Sequence, residues 1–392
     1  MRTINIKKKI NLRFEEKVIL LSGNDIEDSL KSYRPGEWCF FEFNKAKYIG
    51  FVNPNSSRKK NICVYKYSQD DPLSLIKNLI KNAVSYRKEI GYALDSRLIY
   101  GEADGLPGVI VDSYENCAIV QINSAGMDQF RNDIKTYLNE LIDKDVLLLD
   151  NETYRKIEEL PTFKKDDLPE VISVTENGFK YKIDRELMQK VGYYYDHREN
   201  RRKFEELTIR TGQSFKKGLD LFTYVGSWGL HLLRANVSKV DFVDQANMQG
   251  VVDEHLSLNN FSGKGTFIRS DVFKFLDGAI NSGNEYDIIV CDPPAFSKNY
   301  KDKKAALKGY EKLYNKIFQI IENGGLLAAA SCTQNISMSE LDQCVLKAAN
   351  KIGVSVKLID TGIQGLDHPI SNLDSRSNYI KYLAYKVDRN DR

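Results

Sequence analysis

The chain has 392 residues, too many for one ordinary core, so its length predicts two or three domains. A hydrophobic content of 42% beside 28% charged residues describes a globular protein and excludes a disordered one. No apolar run reaches the length of a membrane span, and the opening MRTINIKKKINLRFEEK lacks the apolar stretch of a signal peptide, so no membrane association is expected and the cytoplasm is the expected compartment.

The formal net charge of +3 hides an asymmetry. Residues 1–66 hold 14 Lys and Arg against 7 Asp and Glu, and the remaining chain holds 43 against 47. A basic module on a slightly acidic body suits a polyanionic partner gripped at one end, and it equally suits the solvated surface of a lysine-rich protein. The six cysteines, Cys39, Cys63, Cys117, Cys291, Cys332 and Cys344, form no CxxC pair, so neither a metal site nor a disulfide framework is expected.

In chain order, EWCFFEF (37–43), AKYIGFV (46–52) and NICVYKY (61–67) are short apolar bursts divided by polar turns, which predicts a small β-barrel or sandwich. Residues 71–92 carry helical spacing at Leu73, Ile76, Leu79, Ile80 and Val84 and read as a connector. A hairpin is expected with strands near 108–112 and 117–123, then a helix over 127–143 and a strand at 146–150. From about 215 the rhythm changes to strand–helix alternation. Strands are predicted at 218–222, 239–243, 266–269, 287–291, 325–330, 354–360 and 379–387, with helices at 227–235, 247–260, 271–280, 304–322 and 338–351. This alternation implies an α/β fold with a mostly parallel, doubly wound sheet.

GLDLFTYVGSWGLHL (218–232) reads as strand, glycine-bearing turn and helix, in which Gly226 and Gly229 let backbone approach a ligand at the helix start. It is not the GxGxxG dinucleotide fingerprint. Asp244 ends the second strand, 24 positions after Asp220, where an acid can accept from both ribose hydroxyls of an adenosine. Asp271 ends the third, suited to an adenine amino group. Acids at successive strand ends with a glycine turn on the first are similar to class I S-adenosylmethionine methyltransferases. Another nucleotide-binding enzyme, or acids serving as helix caps, would account for the same pattern.

The fourth strand runs into CDPPAFSK (291–298), where two prolines stop the ladder and leave Asp292 at the strand's carboxyl end. Pro293 and Pro294 stiffen such a loop, and Phe296 can stack on a planar base. The fifth strand ends at Ser331-Cys332-Thr333, so Cys332 and Asp292, 40 positions apart, can face one pocket across strands about 4.8 Å apart. A thiol there is either a buried structural residue or a nucleophile that adds to carbon-6 of cytosine, with Asp292 stabilising the protonated ring. Cys291 and Cys344 read as core. In QKVGYYYDHRENRRKF (189–204), Arg198 can bind a carboxylate bidentately, or the segment is a helix start with solvated charges and Asp196 as cap. His197, His231 and His255 read as incidental.

The ordered set RLIYGEADGLPGVIVD (97–112), VGYYYDHRENR (191–201), DLFTYVGSWG (220–229), CDPPAFSK, SCT (331–333) and LDHP (366–369) resembles the RlmI-type large-subunit ribosomal RNA (cytosine-5) methyltransferases. The resemblance implies a PUA-like RNA-binding β-barrel over 1–68, a central α+β domain over 69–175 and a Rossmann-like methyltransferase domain over 176–392, whose seventh strand inserts antiparallel. It further implies S-adenosylmethionine as cofactor, held by Gln189, Arg198, Phe222, Tyr224, Gly226, Asp244, Asp271 and Asp292. Ribosomal RNA would be the partner, with Cys332 as nucleophile and Pro293, Pro294 and Phe296 at the base; a homodimer is compatible with it. Two rival readings remain at this point: methylation of a guanine or adenine nitrogen through the Asp-Pro-Pro-Phe loop, and a non-catalytic RNA-binding assembly factor.

Overall fold

The computed structural model describes residues 1–10, 12, 17–67, 71–92, 95–163, 166–190, 192–296, 302–373 and 377–389, without the side chains of 189 and 190. The chain divides into two compact units. One comprises Met1–Val174, Asp184–Tyr193 and Leu366–Ser377, and the other Thr175–Ile183, Tyr194–Gly365 and Asn378–Arg392. No helix among the described residues is long and apolar enough to cross a membrane.

The first unit opens with a five-stranded sheet of β1 (Thr3–Asn5), β2 (Val18–Leu21), β3 (Glu37–Phe43), β4 (Ala46–Val52) and β5 (Ile62–Tyr65), in the order β1-β3-β4-β5-β2. The predicted bursts become β3, β4 and β5. Asn44 and Lys45 turn β3 into β4 with φ of 50° and 66°, the positive values that match a tight hairpin to strand twist. Helix α1 (Pro72–Glu89) starts at Asp71, whose carboxylate accepts from Leu73 N and Ser74 N. A four-stranded sheet follows, of β6 (Ser96–Tyr100), β7 (Val109–Ser113), β8 (Cys117–Ile122) and β9 (Asp145–Leu148). The helix expected over 127–143 is two, α2 (Ala125–Asp128) and α3 (Arg131–Ile142), and α4 (Glu152–Ile157) comes after β9.

One apolar core runs through this unit, joining Trp38, Ile49 and Phe51 to Ile76 and Ile80 of α1 and to Val111 and Val120. The indole of Trp38 donates to Gly126 O at 3.0 Å within it. The LDHP segment is anchored here. Buried Arg87 binds Asp104 through both terminal nitrogens, at 2.7 and 2.8 Å, and also donates to Asp367 O, while the Asp367 carboxylate accepts from Arg97 N.

The sequence pattern missed the β10 (Val171–Glu176) and β11 (Phe179–Asp184) hairpin, which precedes α5 (Arg185–Lys190) and α6 (Arg198–Arg210). The second unit is built on a seven-stranded sheet. Its strands are β12 (Lys217–Leu221), β13 (Lys239–Asp244), β14 (Gly265–Arg269), β15 (Tyr286–Cys291), β16 (Ile321–Ser331), β17 (Ser355–Gly362) and β18 (Lys381–Asp388), in the order β14-β13-β12-β15-β16-β18-β17. Its helices are α7 (Ser227–Arg234), α8 (Gln249–Leu258), α9 (Val272–Ser282), α10 (Lys303–Ile320) and α11 (Met338–Ile352). Every strand and helix expected after residue 215 is present, and β18 enters antiparallel between β16 and β17. The strands are nearly continuous apolar runs because helices cover them, with Leu219, Ile289, Leu327 and Leu383 wholly buried beside Tyr314 and Ile317 of α10. The order of strands reverses beside β12, so β12 and β15 carry their loops to the position where such sheets bind ligands.

Candidate active site

The β12–α7 loop is held in an unusual backbone. Phe222 and Tyr224 have φ of 62° and 50°, values rare for bulky residues and costing on the order of 1–3 kcal/mol each. Hydrogen bonds hold it there: Thr223 N donates to Val243 O, and Tyr224 N donates to Asp244 Oδ2 at 3.0 Å. Gly226 caps α7 with φ of 85°. A Cβ on Gly229 would lie 2.1 Å from the Phe242 ring, so α7 approaches the sheet this closely only because the residue is glycine.

Asp220, fully buried, supports the loop from beneath. Its Oδ2 accepts from Thr223 Oγ1 at 2.6 Å and from Gly229 N at 2.9 Å, while its buried Oδ1 has no protein partner. Burial pushes this carboxyl up to about 7; Asp292 and Asp244 push the same way, and the two donors oppose them. Asp244 ends β13 as expected, and its second oxygen accepts from Ala246 N at 2.8 Å. Asp271 lies two residues beyond β14 and caps α9, accepting from Lys274 N at 3.0 Å through one oxygen.

Asp292 follows β15 directly, half-buried, and two residues that the sequence did not single out address its carboxylate. Trp228 Nε1 donates to Oδ2 at 3.0 Å, and His197 Nε2 lies 3.6 Å from Oδ1. His197, read from the sequence as incidental, thus stands beside the carboxylate. It is 3% exposed at the start of α6, with Asn200 Nδ2 3.1 Å from its Nδ1. His231 and His255 are structural: His231 Nδ1 bonds Glu205, and His255 links Val225 O to the backbone of Lys182.

Cys332 follows β16, and its Sγ lies 3.9 Å from Pro293 O, so thiol and Asp-Pro-Pro loop do meet. The flanking hydroxyls explain how the thiol is presented. Ser331 Oγ and Thr333 Oγ1 both bond Tyr310 Oη, at 2.8 and 2.9 Å, and alternation turns the side chain between them the other way. Burial pushes the Cys332 thiol up to about 12, with Asp292 and Asp196 adding to the effect and Lys381 opposing it. It is the one cysteine of the six that is not fully buried; Cys291 and Cys344 belong to the core, as expected.

Tyr194 stands at the same place, 50% exposed, with its ring 5.5 Å from that of Tyr224. Burial of its hydroxyl end pushes its pKa up to about 12, with Asp196, Cys332 and Asp292 acting in the same direction. Asp196 accepts from Tyr379 Oη at 2.7 Å, and the residue at the N-cap of α6 is His197. Arg198 is 4% exposed at the first turn of α6, 5.0 Å from the Tyr195 ring, while Arg201 is taken up bidentately by Glu176. The Phe296 ring packs on Tyr310, centroids 4.6 Å apart, and on Gly309, leaving Pro294 and Ala295 as the exposed part of the loop. The Gln189 side chain lies outside the described residues. Among the described residues, no cluster of His, Cys, Asp or Glu is arranged to hold a metal ion.

The sequence model of the S-adenosylmethionine-dependent methyltransferases matches residues 147–360. A protein of Klebsiella pneumoniae (strain 342) named ribosomal RNA large subunit methyltransferase I is 29% identical over 367 residues, 90% of each chain. Its namesake from Escherichia coli O139:H28 is 28% identical over 350 residues, 86% of this chain and 87% of that one. Among solved structures, a protein from Streptococcus mutans described as a SAM-dependent methyltransferase superposes with a TM-score of 0.77 at 20% identity, covering 98% of this chain and all of the other. A methyltransferase complexed with SAH does so with a TM-score of 0.78 at 19% identity, with the same coverage. These two likenesses speak to the fold. The family match spans more than half of the sequence and takes in Asp220, Asp244, Asp271, Asp292 and Cys332, and by it the chain belongs to the S-adenosylmethionine-dependent methyltransferases.

Proposed function

We propose that this methyltransferase modifies ribosomal RNA at cytosine carbon-5, with Cys332 as the nucleophile. The names of the curated relatives support the RNA substrate. The observation that carries the chemistry is the half-buried thiol of Cys332 beside the Asp292–Pro293 loop, at 3.9 Å from Pro293 O. The basic strands over 1–68 would act as a PUA-like phosphate-gripping module, with 69–175 as a central domain joining it to the methyltransferase.

The residues around β12 fit S-adenosylmethionine. The buried Oδ1 of Asp220, which lacks a protein partner, is suited to a cationic group. Asp244 and Asp271 each retain acceptor capacity for ribose hydroxyls and an adenine amino group, and Phe222, Tyr224 and Gly226 would line the cofactor's path. Arg198 would receive its carboxylate. When bound, the cofactor supplies an electrophilic methyl group.

Carbon-5 of cytosine is a poor nucleophile until a thiolate adds at carbon-6. Cys332 would form that S–C6 bond, displacing the ring's π pair so that carbon-5 can take the methyl group. Loss of the carbon-5 proton to a water molecule would restore the double bond and release sulfur as the thiolate, the S–C6 electron pair leaving with it. Asp292, oriented by the Trp228 indole and with His197 beside it, would stabilise the ring protonated at N3, with Pro293 and Pro294 shaping the base pocket. Phe296 would contribute the outer part of its ring while bracing Tyr310.

The test is ribosomal RNA carrying 5-fluorocytosine, incubated with enzyme and S-adenosylmethionine. Fluorine blocks the elimination, so a denaturation-resistant adduct is expected, absent in Cys332→Ala. No adduct, on RNA methylated when unsubstituted, would transfer the proposal to nitrogen methylation through the Asp-Pro-Pro-Phe loop.

A further inference from the structure

Two side chains of the α8 segment occupy the free edge of β11. Asn259, at the C-cap of α8, donates from Nδ2 to Lys180 O at 2.8 Å and accepts at Oδ1 from Lys180 N at 2.9 Å. One turn earlier, buried His255 places Nε2 at 3.0 Å from Lys182 N and 2.9 Å from Lys182 O. Amide and imidazole together stand in for a further strand, taking up backbone groups that a sheet edge leaves open.

His255 makes a second bond that docking this edge does not require. Its Nδ1 lies 2.8 Å from Val225 O in the β12–α7 loop. A carbonyl can only accept, so Nδ1 carries the proton there. Val225 is buried, and the amide four residues on, Gly229 N, is committed to Asp220. The imidazole supplies a donor where the helix start has turned its own amide elsewhere. The same face of α8 brings Val252 under the turn, where a Cβ on Gly226 would lie 3.7 Å from its side chain.

The loop is thus tied on two flanks. β13 holds Thr223 N and Tyr224 N through Val243 O and Asp244 Oδ2, and α8 holds Val225 O. Tyr224 and Gly226, on either side of that carbonyl, have φ of 50° and 85°. Backbone in so sparsely populated a region keeps its shape only while its surroundings over-determine it.

We infer that His255 is a positioning residue for S-adenosylmethionine: its Nδ1–H holds the Val225 carbonyl and so keeps the β12–α7 loop in the shape that receives the cofactor. The inference rests on that loop being the cofactor's seat, and is independent of the cytosine-5 chemistry.

The experiment is titration calorimetry of S-adenosylmethionine into the full chain. Asparagine carries its amide nitrogen where an imidazole has Nδ1, and glutamine where it has Nε2. His255→Asn can therefore still donate to Val225 O, whereas His255→Gln keeps only the contact with Lys182. The glutamine variant is expected to bind the cofactor about threefold to tenfold more weakly, and the asparagine variant within about twofold of the parent. Asn259→Ala, which releases Lys180 and leaves the loop tied, should lose stability in urea at unchanged affinity. Without cofactor, hydrogen exchange over residues 222–230 should quicken in the glutamine variant and not in the other two. Equal affinities in the asparagine and glutamine variants overturn the inference, whether both match the parent or both fall. A matching loss in Asn259→Ala also overturns it, by assigning the effect to the docked strand. If Asp244→Ala too leaves affinity unchanged, the loop is not the cofactor's seat and that reading falls first. Weakened binding in Asp244→Ala beside parent-like binding in His255→Gln removes His255 alone.

Discussion

The indole nitrogen of Trp228 donates to Asp292 Oδ2 over 3.0 Å, although the two residues lie 64 positions apart in the chain. The bond orients one carboxylate oxygen from the helix that follows β12, while His197 approaches the other from ahead of α6. Trp228 is itself held by stacking on Tyr382, centroids 6.0 Å apart and planes at 24°. Trp228→Phe keeps the ring and removes only the donor. Hydrogen bonds to charged groups are worth about 1.5–3 kcal/mol, so kcat is expected to fall about tenfold or more, with little change in S-adenosylmethionine binding by calorimetry. An unchanged kcat would show that Asp292 needs no such orientation.

His197→Ala withdraws the second group facing Asp292 and leaves Asn200 without the ring it meets. A loss of turnover similar to that of Trp228→Phe is expected. The double variant should lose less than the product of the single losses, because both act on one carboxylate. Strict multiplicativity in steady-state rates would mean that the two residues act independently.

Asp244 secures two backbone amides, of Tyr224 and Ala246, as well as facing the proposed ribose position. Asp244→Ala is expected to weaken S-adenosylmethionine binding at least about tenfold in titration calorimetry, since charge-assisted bonds of this kind exceed 1.4 kcal/mol.

Asp220 gives the pH dependence a definite sign. Its carboxyl is raised to about 7 from an ordinary value near 4, so between those values the folded chain holds a proton that the unfolded chain lacks. Stability contributed by this group is therefore present below about pH 4 and is lost as pH rises toward 7, by at most about 1.4 kcal/mol per pH unit. Asp220→Asn keeps acceptors for Thr223 and Gly229 and cannot titrate. Its urea-derived stability, compared with the parent from pH 4 to 8, should lack this downward component. Parallel curves for the two proteins would remove Asp220 from the account.

Gly229→Ala tests the close packing of α7 on β13. The added methyl would meet the Phe242 ring at 2.1 Å, and overpacking of this kind costs about 1–3 kcal/mol. Phe242→Leu in the same chain should recover part of the loss in urea denaturation.

The doubly wound sheet was legible because its buried strands are uninterrupted apolar runs that end on chemistry: Asp244 at β13, Asp292 after β15 and Cys332 after β16. The Asn177-Gly178 turn of the β10–β11 hairpin carries a local signal too, since both residues adopt the positive φ, 51° and 83°, that such a pair favours. His197, Trp228 and His255 carry no local signal. Each acts on a partner from a distant stretch of chain, His197 and Trp228 on Asp292 and His255 on the backbone of Val225, so only the fold reveals the contact. Phe296 shows the opposite limit. Its place in the Asp-Pro-Pro-Phe loop was plain, but the aromatic neighbour on α10 that captures its ring was not.

The insertion of β18 between β16 and β17 has a consequence for biosynthesis. Translation delivers β16 and β17 before β18, yet these strands must leave a gap between them until the later one arrives. A nascent chain stalled short of Lys381 thus presents the apolar edge Leu326–Ala330 unpaired, an invitation to intermolecular strand pairing. A chain released short of that residue is therefore adhesive, because the later strand has yet to enter the space that the two earlier ones keep open.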